Sequence, residues 1–300
     1  MRSRNLLRFV TILIITLFIG NSAFAQDFPP GDAIRGAQLY DNWFVMLDQL
    51  PPAGDQPLWG TQDSNERSGT VTWRCSTCHG WDYKGVDGAL GPGSQEYTGF
   101  PGVFDVVGSS GNEILAALDG TQNPAHNFFE HINRRALLDI IAFLRTKLVD
   151  VDLIIDNQDQ SSFGIAAYGR GLFGLSCTQC HGEDGSALNF ASAVSPAFIA
   201  DVALEDPWRF IHIVRFGSPL LIDHAFESSD WSLQNVADTL AYAQSLPPGD
   251  PLAGQARPGT ADTVQDIAGQ GQLSAIIFAA ALIVLVILLG LAWTSYNPKS

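Results

Sequence analysis

The sequence predicts an all-α chain: two similar tandem domains, then a flexible tether and one C-terminal transmembrane helix. Three observations carry that expectation. The pattern C-x-x-C-H occurs twice, at residues 75–79 and 177–181, and uses all 4 cysteines. The segments around the two copies recur in the same order at an offset of about a hundred residues. An apolar run lies near each end of the chain. With 46% hydrophobic and 16% charged residues the chain is too apolar to be disordered, and 300 residues can form two cores. Its 31 acidic against 16 basic side chains, a formal charge of −15, argue against nucleic acid as a partner.

In chain order, Arg2, Arg4 and Arg8 precede the apolar stretch Phe9 to Ile19, and Ala23-Phe24-Ala25 follows. Residues 1–25 read as a secretory signal peptide, and an uncleaved anchor would export the chain equally. Removal takes away three arginines and no acid, so the charge becomes −18. The first domain is expected over 26–152. It holds an Ile34–Tyr40 segment, the Pro51–Thr72 insert and the first cysteine cluster, then the Gly- and aromatic-rich Trp81–Phe100 loop. A helical pattern near Glu113–Leu118, His126 in a loop, and an amphipathic Leu137–Leu144 helix complete it. The second domain, 160–246, repeats this order with Ala167–Phe173, the second cluster, Pro207–Phe216, His224 and Leu233–Ala243. Residues 247–273, rich in Pro, Gly, Gln, Ala and Asp, read as a tether. Ala275 to Trp293 carries no charge over nineteen residues, so a transmembrane helix is expected over 274–294. Trp293, Tyr296 and Lys299 then place the 295–300 tail in the cytoplasm and both domains outside.

C-x-x-C-H is the covalent attachment pattern of c-type haem. Two thiols, Cys75 and Cys78 or Cys177 and Cys180, add to the two vinyl groups of one porphyrin. The adjoining His79 or His181 is then held beneath the iron. Using every cysteine in this way disfavours structural disulfides and a thioredoxin-type site. Zinc is disfavoured because each histidine adjoins its own separate cysteine pair.

With these residues in view, each half resembles a class I cytochrome c domain, and the whole resembles a membrane-anchored dihaem cytochrome c. The likeness runs from about Asp32 to Leu246 and includes the segments Ile34–Tyr40 and Ala167–Phe173 and the turns after each cluster. It implies two covalently bound haems and axial iron ligands His79 and His181. Where the family commonly has a distal methionine, this chain has His126 and His224, so the resemblance implies bis-histidine ligation. His131, His212 and Met46 are the alternative axial candidates, with Met46 reading as core packing. Pro92 and Pro196 resemble the proline whose carbonyl orients the proximal histidine.

The expected function is electron transfer at the outer face of a bacterial cytoplasmic membrane, between a membrane complex and an exported redox partner protein. The alternatives are a dihaem oxidoreductase, peroxidase-like or sulfur-compound dehydrogenase-like, with one labile ligand, or a cytochrome subunit of a larger oxidoreductase. The insert at 51–72 is expected either to shield the first haem or to meet a partner.

Overall fold

The computed structural model describes residues 29–192, 195–219, 226 and 231–249. The expected signal peptide, membrane helix and cytoplasmic tail, nearly all of the tether, and His224 lie outside them. The described residues form α-helices and short 3-10 turns with a few isolated bridges and no strand, so this part is all-α. No helix among them is long and apolar enough to cross a membrane. Contacts divide the chain into two compact units, one drawn from Met1–Val151 with His212–Asp230, the other from Asp152–Ile211 with Trp231–Ser300.

In the first unit the helices are α1 (Ala33–Met46), α2 (Cys75–His79), α3 (Gly111–Leu118) and α4 (Arg134–Thr146). The Asp32 carboxylate starts α1 by accepting from the N–H groups of Ile34 and Arg35, and Asn133 caps α4 through Ala136. Helices α1 and α4 cross where α1 carries Gly36. A Cβ there would stand 1.9 Å from the Asp139 carbonyl oxygen, so only glycine admits the approach. The fully buried Asp139 carboxylate fastens the crossing. It accepts from the Asp32 N–H at 2.8 Å and pairs with Arg35. Around it Leu39, Tyr40, Trp43, Leu137, Ile140 and Phe143 fill the core, each such burial stabilising by about 1.5–3 kcal/mol.

The second unit contains α5 (Ala166–Ser176), α6 (Thr178–His181), α7 (Ile199–Glu205) and α9 (Leu233–Ser245). Helix α8 (Pro207–Phe216) starts in this unit, and its residues from His212 onward count with the first, where Phe216 belongs to the core and its carbonyl accepts from Gln38. Helices α5 and α9 repeat the α1–α4 arrangement. A Cβ on Gly169 would lie 1.8 Å from the Asp238 carbonyl oxygen and 2.9 Å from Tyr242 Cβ, as one on Gly36 would meet Asp139 and, at 2.8 Å, Phe143 Cβ. The Asp238 carboxylate accepts from Ile165 N–H at 2.7 Å, as Asp139 does from Asp32. The same glycine and aspartate arrangement thus fastens a helix pair in each unit, while residues 212–230, expected in the second domain, count with the first unit.

Candidate functional site

The first unit encloses a cavity of about 630 Å³, with Cys75, Cys78, His79 and His126 in its lining. One and a half turns of α2 place Cys75, Cys78 and His79 at i, i+3 and i+4, hence on one face. Gly80, at φ +77°, ends the helix by donating to the Ser76 carbonyl. Tyr40 donates its hydroxyl proton to the Gly80 carbonyl at 2.6 Å and fixes this end. Behind Cys75, Arg74 donates to the Asp41 carbonyl at 2.8 Å, pairs with the Asp41 carboxylate and covers the Trp81 ring.

His126 reaches the cavity from a loop after α3. Asn123 caps the 3-10 turn Pro124–His126 by accepting from Ala125 N–H, and the His126 N–H bonds to the Asn123 carbonyl. The two histidines are held alike. His79 Nδ1–H donates to the Pro101 carbonyl at 2.7 Å, and His126 Nδ1–H donates to the Ala117 carbonyl at 2.8 Å. In the neutral ring this leaves each Nε2 with its lone pair, the form in which imidazole binds a metal. The ring centroids are 6.1 Å apart, close to two ring radii plus two metal–imidazole bonds of about 2.0 Å. Burial keeps both rings neutral: it lowers the His79 pKa to about 4 and that of His126 in the same direction.

Burial pushes the Cys75 and Cys78 thiols up to about 12. Such groups are poor thiolates, unlike the activated pairs of dithiol oxidoreductases. None of the four cysteines forms a disulfide. Among the described residues no group of three or more His, Cys, Asp or Glu side chains is arranged to hold a metal ion. The two imidazoles line the same cavity with their ring centroids 6.1 Å apart.

The remaining sequence candidates lie elsewhere. Pro92 is exposed on the Gly-rich loop, and the carbonyl that takes the His79 proton belongs to Pro101, because that loop carries the chain nine residues further before it returns to the ring. His131 stacks on Trp43 and meets Trp73 edge-on at 4.9 Å, away from the cavity lining. His212, fully buried, has both nitrogens engaged: Nε2–H donates to the Ala37 carbonyl at 3.1 Å, and Nδ1 accepts from Tyr83 at 2.7 Å. Met46 ends α1 and packs against the core.

In the second unit Cys177 is buried, with its thiol raised to about 11 by desolvation, and Cys180 is exposed. His181 is buried between Phe173 and Phe190, with ring centroids 6.5 and 5.9 Å away. Gly182, at φ +78°, ends α6 as Gly80 ends α2. The Pro196 carbonyl lies against Gly249, where a Cβ would come within 2.2 Å of it.

Sequence reasoning missed Pro101 and the Ala117 carbonyl, since a backbone acceptor leaves no mark in residue type. It also missed Gln56 within the insert, whose side chain reaches the Ala125 carbonyl 69 residues away. Compared with known proteins, the chain matches no family model, no curated protein and no solved structure.

Proposed function

We propose that the chain is a dihaem c-type cytochrome that carries electrons at the outer face of a bacterial cytoplasmic membrane. In this reading Cys75 and Cys78 hold the first haem with His79 and His126 as axial ligands. Cys177, Cys180 and His181 hold the second, with His224 as its distal ligand. The observation that carries the reading is the pair His79 and His126, 6.1 Å apart across a cavity that also presents both thiols, each ring with Nδ1–H tied to a carbonyl. His79 and His126, 6.1 Å apart, would hold the haem iron through their nitrogens, and the cysteines would hold the porphyrin. The apolar walls, which include Phe128, Ile140 and Leu144, suit a porphyrin face.

When bound, haem supplies the reversible one-electron couple of its iron. The protein's own part is to keep both rings neutral and aimed and to exclude water from the cavity. The Pro101 and Ala117 carbonyls fix the tautomer and raise the basicity of the facing nitrogens. Two imidazole ligands favour a lower potential than the histidine–methionine pair. The apolar ends of the sequence support export and anchoring, and residues 26–300 carry a charge of −18.

The test is the absorption spectrum of the purified, dithionite-reduced full chain before and after carbon monoxide. Wild type is expected to contain two covalent haems and to show no change, whereas His126→Ala should open one haem to carbon monoxide. Absence of covalent haem sinks the reading. Carbon monoxide uptake by the wild type replaces the carrier with a dihaem enzyme that has a labile ligand.

A further inference from the structure

We infer that Gln56, in the insert between α1 and α2, is a positioning residue that braces the His126 loop and keeps that histidine on the metal. The inference rests on the ligation proposed above and extends it to a residue outside the ligand set.

The loop from Asp119 to Asn127 is tied mainly to α3. Gln122 N–H donates to the Ala116 carbonyl, Phe128 N–H to the Leu118 carbonyl, and His126 Nδ1–H to the Ala117 carbonyl. These bonds fix the loop to α3 and leave its hold on the side bearing α2 to other contacts. Gln56 adds a tie from the wall on the cysteine side, where its Nε2–H donates to the Ala125 carbonyl at 2.7 Å. Ala125 immediately precedes the ligand. Both Gln56 and its neighbour Thr72 line the cavity, and Thr72 lies three residues before Cys75.

The amide of Gln56 is itself fixed. Its Oε1 accepts from Leu58 N–H at 2.6 Å, so the –NH₂ end must face Ala125. Its own N–H donates to Thr72 Oγ1 at 2.9 Å, and the Thr72 hydroxyl donates to the Gly69 carbonyl. The side chain is 4% exposed, so water does not substitute for either partner. The insert around it is anchored in turn. Trp59 donates to the Arg67 carbonyl, Arg67 pairs with Glu96, and Trp73 donates to the Gly54 carbonyl. The extra residues that separate α1 from α2 thus form a strap that links the side bearing His79 to the side bearing His126.

The experiment uses the full chain with haem incorporated and compares wild type, Gln56→Ala and Gln56→Glu. The glutamate variant keeps the shape of the side chain and turns a carboxylate oxygen toward the Ala125 carbonyl. Removing one buried hydrogen bond should raise the fraction of ligand-free first haem about tenfold. It is read as carbon monoxide uptake by one reduced haem, with the second haem unchanged. Amide exchange of a peptide covering 119–128 should quicken by a similar factor while α1 and α4 keep their protection. If the wild type is inert and both variants are equally inert, the inference fails and the ligation reading stands. If the wild type lacks haem or takes up carbon monoxide, the ligation reading fails first. Should neither variant load haem while His126→Ala does, Gln56 serves assembly instead of ligand retention, and the inference is overturned.

Discussion

His212 shows how a residue chosen from sequence as a possible ligand acquires a different role from its neighbours. Burial among Tyr40, Tyr83, Phe143 and Phe216 lowers its pKa to about 4, a shift that nearby Asp41 opposes and Arg215 and Arg74 reinforce. The unfolded chain binds this proton near pH 6.5 and the folded chain only near pH 4, so unfolded molecules hold more protons in between. Stability therefore falls as pH drops from about 6.5 to about 4, by on the order of 3 kcal/mol from this group. Urea midpoints of the full chain measured between pH 7 and pH 4.5 should show the decline, and His212→Gln should make it shallower. An unchanged slope in the variant would remove His212 as the cause. The sequence could not display this role, because the partners Tyr83 and Ala37 lie 129 and 175 residues away. By contrast the proposed role of His79 is legible in the sequence at once, since it is read from the four residues before it. His126 was legible only through its place in the repeated order, and nothing local separates it from His131. Only the structure shows His131 spent on Trp43 and Trp73.

At the scale of elements, the glycine crossings of α1 with α4 and α5 with α9 are where each unit tolerates least change. The atom that a new methyl group would meet is a backbone carbonyl oxygen in both cases, at 1.9 and 1.8 Å, which cannot rotate away. Gly36→Ala should destabilise the first unit by about 3 kcal/mol, the upper end for overpacking, and Gly169→Ala the second by as much. Chemical denaturation with a separate probe for each unit checks whether each substitution acts on its own unit alone. The helices were readable from apolar spacing, and so was their repetition. The glycines are visible as letters, but contacts across 103 positions, Gly36 to Asp139, and 69 positions, Gly169 to Asp238, leave no local signal. The insert was visible as a difference between the two halves, while its function as a strap depends on hydrogen bonds from Gln56 that composition does not encode.

For the whole molecule, the proposed carrier function makes two quantitative demands. A redox titration of the full chain should give two low to moderate potentials, and two values in the high range of histidine–methionine cytochromes would contradict bis-histidine ligation. A chain whose residues 26–300 carry a charge of −18 should associate fastest with a basic partner face. Its association rate should drop steeply between low and physiological salt when followed by stopped-flow mixing with a cationic redox protein, whereas a flat salt profile would make the acidic surface irrelevant to docking.

The assignment of the end of α8 to the first unit also bears on the order of events during biosynthesis. Phe216 fills part of the first core and its carbonyl receives Gln38, so that core lacks a component until the chain has been made past residue 216. The second cysteine pair, at 177 and 180, has by then already emerged. A chain made N-terminus first therefore has all four thiols synthesised before the first unit can close completely, and under the proposed reading haem would meet Cys75 and Cys78 while that core still lacks Phe216.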